Sequence, residues 1–516
     1  MSQDDDDISR RADKAYESGN FELARSLYLQ LVEFPSTAVI ANYKLSLLEC
    51  ADGNEEVAVA YAKLAAESNP PVPEYWINYI RLSVDANRTV EAKEAIDKAQ
   101  LSGFIANDFF AEALLQIGIK EFKVKNFEGA LISANQALIF KPGFSKAYNN
   151  MAVAQIQKKE FEPAIENLKR AIHFEPSFAE AYNNLGGALE QIGQIEAAAT
   201  NYKKAIQHDL DYLDPLLNLR NLEIQLVDYD WKKTLATENL KSKSPLGLPK
   251  LEIFHAIEAY ISRDAKMAQA GLDNYRELFE QGKTKALTGV DQLFCQAYYG
   301  FIQHLLGLNT LDQSESRVIY HLGDSHCLSY AHSYLLIDNE KLRIEPRLTI
   351  GAKAFHLANS EKNGFKAITK INLNRLPRGS LVFLSFGEID CRIDEGIIPA
   401  AAKSKKSIEL IASDVASGLV SWVFNQSLLN NHQYFFFNVP APVYDKSFSK
   451  FENHQLGEVV KIFNNKLAKE VSSVGMHLID VYKRTADQVG FSNGLFHCDA
   501  HHLDSQILPF VQAQFG

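Results

Sequence analysis

Apolar positions in the first 210 or so residues recur with a long, fixed period. A small residue stands at Ala24, Ala58, Ala92, Ala130, Ala164 and Ala198, with successive gaps of 34, 34, 38, 34 and 34. Seven residues later comes a second series, Leu31, Ala65, Ala99, Ala137, Ala171 and Ala205. Seven residues make two helical turns, so both series fall on one helix face, where small side chains let a neighbouring helix approach. Sixteen residues before four members of the first series stand Trp76, Leu114, Tyr148 and Tyr182, large enough to wedge between paired helices. Pro70, Pro142 and Pro176 close three units where a helix must stop. The four extra residues before Ala130 predict a longer turn at Leu101-Ser102-Gly103. The whole pattern predicts helix pairs over residues 8–212. No single pair buries its faces, so the pairs stack into an α-solenoid with a concave groove.

Residues 213–315 keep helical spacing but lose the repeat phase, and they read as an adaptor that caps the apolar end of the array. Lys241 to Pro249, with Pro245 and Gly247, reads as a loop, and Glu315-Ser316 as the hand-over to another architecture. Over residues 316–516 short apolar runs alternate with helical stretches. Val318–Leu322, Leu381–Phe386, Tyr434–Val439 and His477–Val481 predict strands, and Lys406–Asn425 and Phe451–Val474 predict helices. Such alternation predicts a three-layer α/β unit with a mostly parallel sheet and its active groups at the carboxyl ends of the strands.

Composition narrows the function classes. With 53 Lys+Arg against 64 Asp+Glu the net charge is -11, so a broad cationic surface for nucleic acid is not expected. No apolar stretch approaches the roughly 18 residues of a membrane span, and the start of the chain has neither a basic nor an apolar segment. A cytoplasmic protein without a membrane span is expected, with Asp4 to Asp7 as a solvated, frayed start. The five cysteines are scattered and odd in number, which fits reduced thiols.

The strand ends carry a chemical pattern. Gly323-Asp324-Ser325 places a serine just after the first strand, at a turn that glycine permits. Near the other end, Asp499-Ala500-His501-His502 sets a carboxylate three residues before a histidine. Asp499 would fix the tautomer of His502, and His502 would take the proton of Ser325. These blocks, HLGDSHCLSY and DAHHLD, resemble those of the SGNH hydrolases, the GDSL esterase/lipase family. The resemblance covers about the last 200 residues and implies a flavodoxin-like sheet with Ser325, Asp499 and His502 as catalytic residues. It further implies an oxyanion hole using the N–H groups of Ser325 and Gly351. The family's third block is G-x-N-D, whereas this chain has Gly387-Glu388-Ile389-Asp390, with Ile389 in place of the asparagine. A lost oxyanion donor costs about 10²–10³ in rate, which makes His326, His356 and Arg392 candidate replacements. Asp324, His326, Glu388, Asp390 and Arg392 form the candidate substrate-binding set. Arg392 reads either as a fork for an anionic substrate group or as an ion-pair partner of Glu388 or Asp390. Cys327, Cys391, Cys498, His497 and His501 flank the same blocks without the spacing of a zinc clip, so neither a metal nor another cofactor is expected.

The 34-residue repeat resembles the tetratricopeptide repeat (TPR), best in Ala147–Pro176 and Glu180–Leu210. That resemblance implies a groove for a protein or peptide partner. Asn149, Asn150, Asn183 and Asn184, early in first helices, are candidate groove residues, and solvated surface is the other reading of them. The sequence thus leads to a serine esterase or O-acyltransferase acting on an acylated carbohydrate or protein, with a partner recruited by the repeats. A glycosyl- or acyltransferase acting on a protein held by the array is one alternative. A non-catalytic interaction protein with a degenerate α/β unit is another.

Overall fold

The computed structural model describes residues 3–68, 72–226, 248–308, 311 and 316–515. Helices follow one another in pairs: α1 (Gln3–Glu17) and α2 (Phe21–Leu31), α3 (Ala38–Ala51) and α4 (Glu55–Ala66), α5 (Pro73–Asp85) and α6 (Thr89–Leu101). Then come α7 (Asn107–Lys123) and α8 (Phe127–Phe140), α9 (Ser145–Gln157) and α10 (Phe161–Phe174), and α11 (Ala179–Gln191) and α12 (Ile195–His208). All twelve positions of the two small-residue series lie on second helices and are buried. A left-handed residue stands in the turn between the two helices of each pair, at Gly19, Gly53, Asn87, Lys125, Lys159 and Gly193. Only that conformation turns the chain back within three or so residues, which is why the φ > 0 positions keep the repeat spacing.

Two sequence expectations change here. Helix α7 has 17 residues where α5 and α9 have 13, so the four extra residues add about one turn to a helix instead of lengthening the loop at Leu101–Gly103. The acidic run Asp4–Asp7 lies in the first turns of α1, where the helix dipole favours negative charge, and is not a frayed tail. Pro142 and Pro176 do stand in the turns after α8 and α10, whereas Pro70 lies outside the described residues.

Next come α13 (Asp214–Gln225), α14 (Leu248–Ile261), α15 (Ala265–Glu280) and α16 (Gly289–Leu308). Pro249 lies within the first turn of α14, while Lys241 to Gly247 and the hand-over residue Glu315 lie outside the described residues. Among the described residues no helix is long and apolar enough to cross a membrane.

The remaining chain runs β1 (Arg317–Gly323), β2 (Tyr334–Ile337), β3 (Glu340–Leu348), α17 (Ala354–Ala358), α18 (Gly364–Arg375), β4 (Leu381–Ser385), α19 (Ile397–Ser404) and α20 (Ile408–Asn430). It closes with β5 (Gln433–Phe437), α21 (Lys450–Ser473), β6 (His477–Ile479), α22 (Tyr482–Thr485) and α23 (Leu508–Gln512). The strands form one sheet of order β2-β3-β1-β4-β5-β6, parallel from β3 to β6, with β2 added antiparallel at one edge. Alternate residues feed opposite cores. Val382, Leu384, Tyr434 and Phe436 meet α20 and α21, while Phe383, Phe435 and Phe437 meet α23.

The chain divides into two compact units, Met1–Ala188 and Leu189–Gly516, so the boundary falls inside α11 and not near 212 or 315. The reason is packing in the second unit. A Cβ on Gly364 would stand 2.6 Å from the carbonyl oxygen of Glu190, so the start of α18 fits only as glycine against the end of α11. Gln225 of α13 accepts the Ile350 N–H at 2.9 Å, and its carbonyl takes the Asn372 amide at 2.9 Å. Ile224, Phe254, Tyr260, Tyr298 and Phe301 then share one core with Cys327, Leu328 and Leu348. The adaptor helices are therefore part of the α/β unit's own packing.

Candidate active site

Ser325 follows β1 at the start of a short 3-10 turn, Ser325–Leu328. Gly323 is required there by contact and not by a left-handed φ: a Cβ would lie 2.7 Å from the Ser385 carbonyl oxygen of β4. From the other end of the unit, the Cys498 N–H donates to the His502 carbonyl at 2.9 Å and closes a tight loop. Within it Asp499 Oδ1 accepts the N–H groups of His501 and His502, both at 2.7 Å, which fixes the carboxylate. Asp499 Oδ2 stands 2.7 Å from His502 Nδ1, and His502 Nε2 stands 2.8 Å from Ser325 Oγ.

The electrostatics suit that arrangement. Burial would raise the Asp499 carboxyl, but the His502 hydrogen bond and the backbone N–H groups outweigh it and hold it well below the usual range. Burial is the main cause that keeps the His502 imidazole below its ordinary value, with Asp499 pulling it up and the neighbouring His326 pushing it down. A neutral imidazole with its Nδ1 proton on Asp499 presents a bare Nε2 to the serine hydroxyl.

The other candidates divide by role. Asp324 and His326 are buried, with His326 Nδ1 2.7 Å from Asp324 Oδ1 and Nε2 3.0 Å from the His501 carbonyl. Burial opposes charge on His326, yet Asp324 and Glu388 push it up to about 9. The imidazolium then donates at both nitrogens and props the loop that carries His502. Glu388 is forked by Arg392, at 3.1 Å through Nε and 2.8 Å through Nη2, and meets His501 Nδ1 at 2.8 Å. Burial would raise its carboxyl, but His501 and Arg392 outweigh this and hold it far below the usual range. Of the two readings of Arg392, the geometry supports the ion pair, with Glu395 as a second partner at 3.4 Å.

Asp390 is fully buried and accepts the Ala354 and Phe355 N–H groups at 2.6 and 3.0 Å, so it holds the start of α17. Burial pushes its carboxyl up to about 6. Ile389 is buried and carries no donor. His356 is engaged at the same helix start, its Nδ1 accepting the Lys353 N–H at 3.1 Å. Gly351 takes φ +69° in the exposed turn between β3 and α17, with open space beside it. A cleft of about 600 Å³ opens beside His501, Glu388 and Arg392, with apolar walls from Val439, Pro442, Tyr444 and Leu456. Among the described residues no group of three or more His, Cys, Asp or Glu side chains is placed to hold a metal ion.

Two residues packed near the triad carry no sequence signal: Phe301 of α16, whose ring is stacked on that of His502, and Tyr298, one turn before it in the same core. They sit at helical spacing in an apolar stretch, where a core aromatic looks the same. In the array, Asn149 is buried and its Oδ1 accepts the Asn184 amide at 2.9 Å, a link between successive first helices. Asn183 is also largely buried, whereas Asn150 and Asn184 are partly exposed.

Comparison with known proteins bears on the array. Tetratricopeptide-repeat family models match residues 154–193 (TPR repeat) and 179–212 (Tetratricopeptide repeat). The chain therefore carries TPR repeats, a module of protein–protein interaction. Similar solved structures include YrrB, a TPR protein with an unusual peptide-binding site, at 18% identity over 37% of this chain and 95% of that one, TM-score 0.29. MamA 41-end from Desulfovibrio magneticus RS-1 is similar at 19% identity over 33% of this chain and 95% of that one, TM-score 0.28. The first TPR of Spaghetti (RPAP3), bound to the HSP90 peptide SRMEEVD, is similar at 21% identity over 23% and 96%, TM-score 0.23. No curated protein matches the chain.

Proposed function

We propose that residues 189–516 form a serine acyl hydrolase or O-acyltransferase of SGNH type, acting on an acylated carbohydrate or protein. One observation carries this reading: the unbroken relay Asp499–His502–Ser325, at 2.7 and 2.8 Å, assembled from chain segments about 174 residues apart. Its order along the sequence and its place at the end of β1 agree with the resemblance of the two terminal blocks.

In this mechanism Ser325 Oγ attacks an acyl carbonyl while His502 takes its proton. The tetrahedral intermediate collapses as His502 returns that proton to the leaving alcohol. Water or an acceptor hydroxyl then discharges the acyl-serine by the same route in reverse. Asp499 holds the imidazole and stabilises its charged form. The Ser325 and Gly351 N–H groups are the backbone donors to the oxyanion in this reading. The TPR array recruits the protein partner that brings or carries the substrate.

The test is covalent labelling. A fluorophosphonate probe should modify Ser325, and Ser325→Ala and His502→Ala should each abolish labelling and short-chain p-nitrophenyl ester hydrolysis with little change in melting temperature. Wild-type turnover in both variants would remove the assignment.

A further inference from the structure

The relay Asp499–His502–Ser325 leaves a second carboxylate–histidine pair beside it unused. His501 is the residue before the base, its ring 6.4 Å from that of His502 between centroids and turned 83° to it. Glu388 is a carboxylate and can only accept, which puts the proton of their 2.8 Å contact on His501 Nδ1. Arg392 grips Glu388 in turn at 2.8 Å, so the imidazole is fixed before any substrate arrives. Its other nitrogen, Nε2, makes no hydrogen bond among the described residues, and the side chain is 43% exposed where it borders the cleft of about 600 Å³. That cleft joins two kinds of wall. Tyr444 is half-exposed, its ring packed edge-to-face with Phe491 at 5.4 Å between centroids, and Pro442 and Leu456 continue the apolar side. Asp394, Asp445 and Lys446 border the same space. An acyl chain gains nothing from three charged neighbours, whereas a pyranose ring offers a C–H face to an aromatic ring and an edge of hydroxyls to polar groups.

We propose that His501 is a specificity-determining residue whose Nε2 binds a hydroxyl of the substrate's sugar, and that this cleft takes the carbohydrate part of the ester with its C–H face on Tyr444. The inference rests on the serine-acyl-transfer reading above and commits it to a sugar ester in place of an acylated protein. A sugar hydroxyl suits Nε2 in either state of the ring, donating to the lone pair of a neutral imidazole or accepting from a charged one. Glu388 and Arg392 are positioning residues here: they act through His501 by holding its ring. Because His501 and His502 are consecutive, a sugar bound at the first brings an O-acyl group on the same ring to the second and to Ser325. Binding through a fixed side chain costs little ordering, so the contact separates sugar esters from simple ones.

The test is a selectivity ratio measured on the full chain: kcat/KM for mono-O-acetylated methyl hexosides of gluco, galacto, manno and 2-acetamido type, each divided by kcat/KM for p-nitrophenyl acetate. Wild type should turn over at least one hexoside, and His501→Phe should lower that ratio about tenfold, chiefly through KM. His501→Phe also takes a partner from Glu388, so His501→Gln is the second variant: its amide reaches the place of Nε2 and should recover most of the ratio. Tyr444→Ala should lower the same ratio. An unchanged ratio in His501→Phe would overturn the sugar contact while leaving the serine reading intact. So would wild type that cleaves p-nitrophenyl acetate but no hexoside, or equal losses on both substrates with a lowered melting temperature, which would make His501 structural. A kcat/KM that climbs from p-nitrophenyl acetate to octanoate and loses that preference in Tyr444→Ala would make the cleft an acyl-chain pocket and overturn the proposal too. Wild-type protein that neither labels at Ser325 nor turns over ester would overturn the serine reading itself, and the role of His501 with it.

Discussion

Phe301 lies flat on the imidazole of His502, with ring centroids 4.0 Å apart and planes 17° apart. The base of the candidate triad is thus covered on that face by a helix that precedes the sheet in the chain, and burial is the main cause of its depressed basicity. A histidine acting as general base is active when neutral, so the rate falls as pH drops through its pKa. Phe301→Ala should let water reach the ring and move the acidic limb of kcat/KM to higher pH, towards the ordinary imidazole value of about 6.5. A limb that stays in place would mean that Phe301 does not set the environment of the base.

The Glu388 cluster gives a second prediction. Arg392→Ala leaves a mostly buried carboxylate with His501 as its remaining partner among the contacts described above, and should cost towards the lower end of about 3–5 kcal/mol, because Arg392 is itself partly exposed. The sign with pH follows from the carboxyl being held below its unfolded value. Its stabilisation is present above about pH 4.3 and is lost as pH falls below that. The melting-temperature gap between wild type and Glu388→Gln should therefore narrow below about pH 4. An Arg392→Ala protein that melts normally but loses turnover only on an anionic substrate would restore the substrate-reading role.

How much of this was legible in the sequence depends on what each feature needs. The small-residue series and the strands β1, β4, β5 and β6 were legible because close helix packing and a two-sided core each impose a residue type at a fixed period. The β2–β3 hairpin was not. Its turn residues Asp338 and Asn339 both have φ > 0, a usable signal, but Arg343, Glu345 and Arg347 interrupt the apolar run. Those charges are tolerated because the two arginines bracket Glu345 at 3.4 and 2.8 Å. The meeting of Ser325, Asp499 and His502 was legible from block order, whereas Phe301 was not, since its stacking on His502 depends on where α16 lands and not on local pattern.

Asn149 shows the same limit in the array. Its spacing suggested a groove residue, but the side chain ties α9 to α11 through Asn184. Asn149→Ala should lower the array's stability by about 1 kcal/mol, read in denaturant unfolding, and Asn184→Ala by a similar amount. The double variant should cost little more than either single one, because both remove one bond. Fully additive losses would mean that the pair does not interact.

The last prediction concerns Asp324 and His326, the charged pair that sits directly beside the serine. His326 is pushed up to about 9, above the roughly 6.5 of an unfolded histidine, so its pairing contributes stability fully below about pH 6.5 and loses it as pH rises through about 9. Deprotonation leaves the buried Asp324 carboxylate facing a neutral ring through Oδ1, while its Oδ2 has no hydrogen-bond partner among the described residues. His326→Gln lacks the charge at every pH, so the stability gap between wild type and variant should be about 2 kcal/mol at pH 6 and shrink markedly by pH 9.5. Chemical denaturation at the two pH values measures it. A gap that is the same at both would show that His326 is not a charged partner of Asp324, and the loop carrying His502 would then owe its position to the Asp499 bonds alone.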